Sequence, residues 1–387
     1  MSQVKIGTEN KGDCAVRVER GEAGIRIDAK PLVEPGLRLL VEQIADRCGA
    51  EKAKIEVADF GALDYVVAAR LETALRQAGT GKRCNEPLEG GLDRKPTAAD
   101  RLRRTRLYVP GNNPRLQVGI ELHGADCILL DLEDSVPLSE KLSARVLVKH
   151  LLWAVSFDEV WVRINPLDTY GDEDLAEIVP GRPHGVCLPK TETTDDVARV
   201  AARLAELESK FGIPVGSTRI MPILETAAGV LHAEQIAGAD PRVVVMAFGA
   251  EDFTRDVGSK RTRETLLFAR SQLVAAARSA GVQASDTVFS DVDDRDALLE
   301  ETRHVRDLGF DGKGAINPRQ IAAIHEGFAP PAAEIEHARR VVAAAEEAEQ
   351  QGIGAIAIGG KMIDRPVLDR ARRTLDLAQR MSAGRGL

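Results

Sequence analysis

Over the first 78 residues the spacing of apolar positions switches back and forth between a period of two and a helical period. AVRVERGEAGIRIDA gives two alternating runs, PGLRLLVEQIADRCG a helical face, AKIEVADFG another strand and DYVVAARLETALRQAG a second helix. This predicts a small α/β unit over residues 1–78. Residues 79–99 are rich in Gly, Pro and charge, with almost nothing to bury, and read as a linker. From residue 104 onward, eight short β-rich runs alternate with amphipathic helical stretches: RTRLYVPG, CILLDLED, EVWVRIN, GVCLPK, RIMPILET, VVVMAFGAED, TVFSD and GKGAIN. Their spacing, roughly two or three dozen residues, fits repeated strand and crossover-helix units, and eight such units can close into a (β/α)8 barrel. An open doubly wound sheet is the competing architecture, but no GxGxxG follows the first strand and GNNPR is not a Walker loop. The expected layout is therefore an α/β protein with a (β/α)8 TIM barrel over 100–325, preceded by the small unit. Residues 326–387 follow as a C-terminal helical extension in the position of a lid or an oligomer contact.

Composition narrows the ligand class. With nine Phe, three Tyr and two Trp, the core must be built from Ala, Val, Leu and Ile, as in helix-rich α/β proteins. A formal charge of -8 and the lack of a long basic run argue against nucleic acid or an anionic membrane surface as partner, which leaves small molecules. Cys14, Cys48, Cys84, Cys127 and Cys187 are scattered without CxxC spacing and read as reduced thiols. The polar start MSQVKIGTENKGD and the absence of a long apolar run predict a cytoplasmic protein.

In a (β/α)8 barrel the chemistry sits at the C-terminal ends of the strands, so polar residues that end apolar runs are the informative ones. LLDLED supplies Asp131, Glu133 and Asp134, WVRIN supplies Arg163, LPK supplies Lys190, MPILET supplies Glu225 and GAED supplies Glu251 and Asp252. Glu225 and Asp252 close consecutive runs, and neighbouring parallel strands lie about 4.8 Å apart, so both carboxylates can reach one cation. Two hard oxygen donors with no His or Cys beside them suit Mg2+. Each acid could equally cap a helix or close a salt bridge, a use common where a strand gives way to a helix. Arg163 offers a planar fork matched to a substrate carboxylate, although it could also form an ordinary barrel ion pair. Lys190, Glu133 and Asp134 are candidate substrate contacts or supports for one. The small residues Ala247, Gly249 and Ala250 before the acids leave room for a group to approach the backbone closely.

RTRLYVPGNNPR, LLDLEDSV, VWVRIN, LPKTET, ILETAAG, GAEDFTRD, GFDGKGAINPRQ and GKMIDRP, in that order over about residues 100–385, resemble the citrate lyase β-subunit family, which includes malyl-CoA and citramalyl-CoA lyases. Residues 1–78 resemble the citrate lyase γ-subunit, an acyl carrier, through GT followed by a short polar run and through GALDYVVAARLETAL. The resemblance implies Mg2+-dependent carbon–carbon cleavage of a 3-hydroxyacyl thioester into an acetyl-type thioester and a 2-oxo acid. By matched position it implies Glu225 and Asp252 as metal ligands and Arg163 as the clamp on the oxo-acid carboxylate. It further implies Asp364, in GKMIDRP, as the proton-handling residue, supplied by a neighbouring subunit of a homotrimer. Read on its own, Asp364 could simply open the last helix ahead of Pro366. Where the carrier family places its prosthetic-group serine this chain reads GTENKGD, with Lys11 and Gly12 at the expected places. Two further uses are open at this point: a component of a citrate lyase complex that handles carrier-bound citryl, and a noncatalytic docking protein.

Overall fold

The computed structural model describes residues 3–50, 52–87, 94–350, 356–358 and 361–383. The first 78 residues form β1 (Val4–Ile6), β2 (Cys14–Arg20), β3 (Gly24–Asp28), α1 (Glu34–Arg47), β4 (Ala53–Asp59) and α2 (Asp64–Gln77), with the strands ordered β1-β2-β4-β3. Strand β1 was not expected, since three residues are too few to set up an alternation. Strands β2 and β4 pair antiparallel from Cys14↔Asp59 to Arg20↔Ala53. Their inward-facing residues Val16, Val18, Ile55 and Val57 meet Val41 and Ile44 of α1 and Val67 and Leu71 of α2 in one core.

The barrel follows the eightfold reading. Its strands are β5 (Thr105–Pro110), β6 (Cys127–Asp131), β7 (Val160–Arg163), β8 (Gly185–Leu188), β9 (Arg219–Leu224), β10 (Val245–Phe248), β11 (Gln283–Asp286) and β12 (Gly312–Ala315). They are parallel, and β12 pairs β5 (Lys313↔Thr105) to close the ring. The connections carry α3 (Pro114–Gln117), α4 (Lys141–Ala154), α5 (Asp172–Ile178), α6 (Thr194–Lys210), α7 (Ala227–Leu231), α8 (Ala233–Ala237), α9 (Ala250–Asp256), α10 (Arg263–Ala280) and α11 (Arg295–Leu308). Helix α12 (Ile321–Phe328) follows the last strand. Inside the ring, Leu129, Trp161, Met221, Ile223 and Val245 pack together. Outward-facing strand residues such as Val162, Val186 and Ile220 pack against the helices.

One strand lies elsewhere than expected. TVFSD is a loop, and the strand is the preceding QASD. The reason is electrostatic: Asp286 of β11 is fully buried but accepts from Arg270 at 2.9 Å and from Lys313 at 2.7 Å. The strand is therefore held by ion pairs instead of the apolar side chains a pattern search finds.

The expected linker also departs from expectation. Its residues 88–93 lie outside the described ones, but the flanks are pinned to the folded units. Cys84 is buried, and Arg94 donates to the carbonyls of Gly181 and Leu152 at 2.8 and 2.5 Å. Arg103 is paired with Glu159 at 2.9 Å, both out of water. Helices α2 and α4 pack the first unit onto the barrel through a charged cluster. There Lys149 donates to Glu72 at 2.7 Å and to Glu177 at 2.6 Å. His150 meets Glu72 at 2.7 Å and Arg76 pairs Glu177 at 3.0 Å. The Cys48 and Cys84 sulfurs lie 2.8 Å apart beside Glu72, and all five cysteines are free and buried. Burial opposes the charge of Glu72, but the His150 hydrogen bond and the Lys149 ammonium hold its carboxyl down at about 2.

The C-terminal extension contains α13 (Ala332–Gln350), a hairpin of β13 (Ile356–Ile358) with β14 (Lys361–Ile363), and α14 (Arg365–Ala383). Helices α13 and α14 meet at Ala338, Val341 and Ala371. The rest of the GIGAIAIGG run, residues 352–355 and 359–360, lies outside the described residues. Among the described residues, no helix is long and apolar enough to cross a membrane.

Candidate active site

At the C-terminal end of the barrel a cavity of about 470 Å³ is lined by Tyr108, Asp131, Asp134, Arg163, Glu225 and Asp252, among others. Glu225 follows the last residue of β9, where Gly249 N–H donates to Leu224 O at 3.1 Å and holds the two strand ends together. The next residue, Thr226, caps α7 by accepting from Gly229 N–H at 3.1 Å, so the chain turns sharply and leaves the Glu225 side chain at the strand end. A Cβ on Gly249 would stand 2.4 Å from Glu225 Oε2 and 2.6 Å from its Cβ. The group that needs the close approach at this glycine is thus the Glu225 carboxylate itself.

Asp252 reaches the same cavity by another route than expected. Strand β10 ends at Phe248, and Asp252 sits in the first turn of α9, where the helix N-terminus favours a carboxylate. It also pairs with the exposed Arg255 at 2.6 Å. Glu251, also on the cavity wall, pairs with Arg261 and accepts from Ser290 Oγ at 3.2 Å.

Arg163 ends β7 and is gripped bidentately by Asp131, Nε to Oδ1 and Nη2 to Oδ2, both at 2.7 Å. Its remaining Nη1 lies 2.9 Å from Glu133, as an ion pair, and the guanidinium stands 5.6 Å above the Tyr108 ring. Asp131 in turn accepts from the backbone N–H of Glu133 at 2.9 Å and of Ser135 at 3.2 Å, so it fixes both the loop and the arginine. The Lys190 ammonium contacts Glu133, while its backbone N–H donates to Glu225 Oε1 at 2.8 Å. That backbone contact requires φ of 49° at Lys190, a left-handed value rare for a residue with a side chain.

The charges do not balance within the protein. Asp131, Glu133, Asp134, Glu225 and Asp252 stand against Arg163, Lys190 and the exposed Arg255, five carboxylates against three cations. Burial, then the neighbouring charges of Asp252 and Glu133, push the Glu225 carboxyl up to about 8. Burial likewise raises Glu133, with Asp134 adding to it. A buried carboxylate raised by another carboxylate, at an oxygen-only corner with no His or Cys donor, is the environment a hard divalent cation relieves. Glu225 and Asp252 fit the holding of such an ion.

Of the residues singled out in the sequence, the cavity brings together Asp131, Asp134, Arg163, Glu225, Glu251 and Asp252. Glu133 and Lys190 join it through Arg163 and Glu225. Asp364 is not among the residues lining it in this chain; it is exposed and caps α14, accepting from Val367 N–H at 3.1 Å. Two roles went unnoticed in the pattern. Asp131 was visible as a strand end but not as the arginine's partner, and Tyr108 could have been found from the alternation in RTRLYVP, which puts it on the inner face of β5.

A closed parallel barrel that gathers Glu225, Asp252 and an Asp131-braced Arg163 at the C-terminal ends of its strands has the architecture of a (β/α)8 enzyme. Residues 104–318 match the HpcH/HpaI aldolase/citrate lyase family, and the chain belongs to it. Residues 1–78 match the malonate decarboxylase delta subunit family of acyl-carrier-like domains. Citrate lyase subunit beta of Leuconostoc mesenteroides subsp. cremoris is 44% identical over 284 residues, covering 72% of this chain and 94% of that protein. Human mitochondrial citramalyl-CoA lyase is 34% identical over 293 residues, covering 71% and 85% respectively. Among solved structures, the protein CitE from Mycobacterium tuberculosis in complex with magnesium, acetoacetate and coenzyme A superposes with a TM-score of 0.60 at 31% identity, covering 71% of this chain and 98% of that one.

Proposed function

We propose that the protein is a Mg2+-dependent lyase that cleaves or forms a 3-hydroxyacyl-CoA thioester, such as malyl-CoA, citramalyl-CoA or citryl-CoA, with an acetyl-type CoA thioester and a 2-oxo acid as the other side of the reaction. The observation that carries this reading is the convergence of Glu225, Asp252 and Arg163 on one cavity, with Glu225 destabilised as a bare carboxylate. The magnesium, acetoacetate and coenzyme A of the Mycobacterium tuberculosis structure agree with it.

Glu225 and Asp252 would hold Mg2+, which when bound supplies Lewis-acid polarisation of the oxo-acid oxygens. The chain's own groups do the rest. Asp131 takes the Nε–H and one Nη2–H of Arg163, so the guanidinium plane is set before substrate arrives and Nη1, with the second N–H of Nη2, is left for a carboxylate. An oxo-acid carboxylate there takes the place of Glu133, whose own charge remains partnered by Lys190. Lys190 acts twice, through its ammonium on Glu133 and through its backbone N–H on Glu225. Proton transfer to and from the reacting carbon and hydroxyl is assigned to Asp364 of a neighbouring copy, since in its own chain this residue caps a helix off the cavity.

The test is a panel of 3-hydroxyacyl-CoA thioesters with Mg2+, following release of the 2-oxo acid. Cleavage of at least one that stops on chelation with EDTA is expected. Cleavage that persists in Glu225→Ala, or none across the panel, rejects the reading. A second reading, a component handling carrier-bound citryl, is favoured by the carrier-like first unit. It requires a covalent prosthetic group that an intact-mass measurement would reveal, and residues 3–78 offer no serine to bear it.

A further inference from the structure

Helix α1 is capped at its C-terminus by Cys48, and the chain leaving α2 passes over that cap on its way to the barrel. Three contacts lay the passing segment down. Thr80 N–H returns to Leu75 O at 3.0 Å, Lys82 N–H donates to Cys48 O at 2.7 Å, and a Cβ on Gly81 would stand 2.8 Å from the Cβ of Leu75 and 3.5 Å from that of Cys48. Glycine at 81 thus lets the segment lie close enough for residues 48 and 84 to meet.

Both cysteines are anchored by bonds that do not involve sulfur. Cys84 N–H donates to Glu72 Oε1 at 3.2 Å and Cys84 O accepts from Lys149 Nζ at 2.8 Å, while Cys48 N–H is held by Ile44 O at 2.9 Å. These backbones leave the two sulfurs 2.8 Å apart, with both side chains all but out of water. That is well inside the roughly 3.5–4.0 Å at which even carbon atoms touch. A disulfide bond measures about 2.05 Å, so joining the pair takes less than about 1 Å of side-chain travel and no movement of either backbone.

A metal is the rival use of this cluster, because Glu72 lies within reach of both sulfurs. Geometry speaks against it: two thiolates on one tetrahedral zinc, each at about 2.3 Å, stand about 3.8 Å from one another. Glu72 also has no oxygen to give. Lys149 and Cys84 N–H take its Oε1 and His150 takes its Oε2. The Lys149 ammonium, itself fully buried beside the cysteines, would repel a further cation.

We infer that Cys48 and Cys84 are a redox-active pair that peroxide oxidises to a disulfide, stapling the segment between the first unit and the barrel to the end of α1. The pair stands apart from the lyase reading, since neither cysteine lines the catalytic cavity. Cys84 is the attacking group: it is 6% exposed against 1% for Cys48, and the Cys48 hydrogen bond, aided by Lys149 and opposed by burial, holds its thiol down. As a thiolate it attacks one oxygen of hydrogen peroxide, the O–O bond breaks, and a sulfenic acid and water result. The Cys48 sulfur, giving up its proton, then displaces the sulfenic oxygen, which leaves as a second water. Two thiols thereby lose two electrons and two protons, and the peroxide carries them off as water.

The test is a thiol count on the intact protein. Reduced protein, unfolded in guanidinium with N-ethylmaleimide, should take five adducts, one for each free cysteine, and protein exposed to hydrogen peroxide while folded should take three. A non-reducing digest of the oxidised sample should contain the Cys48 and Cys84 peptides joined, lighter than their sum by two hydrogens, and dithiothreitol should restore the full count. The oxidised protein should melt about 5 °C or more above the reduced one, and that gain should vanish in Cys48→Ala and in Cys84→Ala. Five adducts after peroxide, or a joined pair other than these two, overturns the inference. So does stoichiometric zinc in the purified protein that protects both thiols from peroxide, since the cluster then belongs to a metal. Equal melting temperatures in the two redox states remove the stapling role. The count on the wild type decides whether the bond forms even where an alanine variant folds poorly.

Discussion

Glu72 and Glu225 are two glutamates with almost no access to water, and their surroundings drive them in opposite directions, to about 2 and about 8. At Glu72 the cost of burial is outweighed by Lys149, His150 and Arg76, which arrive from two elements and leave neither oxygen unpaired. At Glu225 the protein supplies one backbone N–H, from Lys190, and then adds Asp252 and Glu133 nearby, which worsens the balance. Equal burial therefore conveys little about role; what distinguishes a structural carboxylate from a working one is whether the protein has completed its charge.

The largest effect that would sharpen this contrast is on chemistry. Glu225→Gln should lower the rate of Mg2+-dependent thioester cleavage by about a thousandfold, while the melting temperature of the metal-free protein stays level or rises, because a destabilised charge is removed. A clear fall in melting temperature would erase the distinction. Glu72→Ala should do the reverse: about 3–5 kcal/mol lost in denaturant unfolding, because Lys149 and His150 are left buried beside the gap, with turnover per folded molecule retained.

Smaller in scale, Gly249→Ala forces the Glu225 carboxylate to move and should cost about 1–3 kcal/mol of stability. It should also cost roughly a hundredfold in turnover, read from kcat with Mg2+ saturating. The smallest effect is on acid tolerance. The folded pKa of Glu72 lies below its unfolded value of about 4.3, so its contribution is complete above that pH and is lost as the pH falls toward about 2. The stability gap between wild type and Glu72→Gln should narrow across that window; a constant gap would mean that Glu72 acts by packing alone.

How much of this was legible beforehand follows from the kind of force involved. Barrel strands such as β6, β8 and β10 are largely apolar runs buried on both faces, and these stand out from a single sequence. QASD does not, since Asp286 gains its place from Arg270 and Lys313, whose proximity only folding creates. Strand ends were readable, so Arg163, Glu225 and the neighbourhood of Asp252 were too, but the handover from strand to helix at Gly249 was not. The Glu72 cluster was invisible: Glu72, Lys149 and Glu177 lie 77 and 28 residues apart along the chain. On its own helix each reads as part of a solvated face.

Because Glu72 neutralises Lys149, and Lys149 in turn neutralises Glu177 on the barrel side, the first 78 residues are not a detachable cassette. Grafting them onto another barrel would succeed only if the recipient's helix offered an ammonium at the matching turn. Without them this barrel would keep a lysine and a glutamate in a face shaped to be dry.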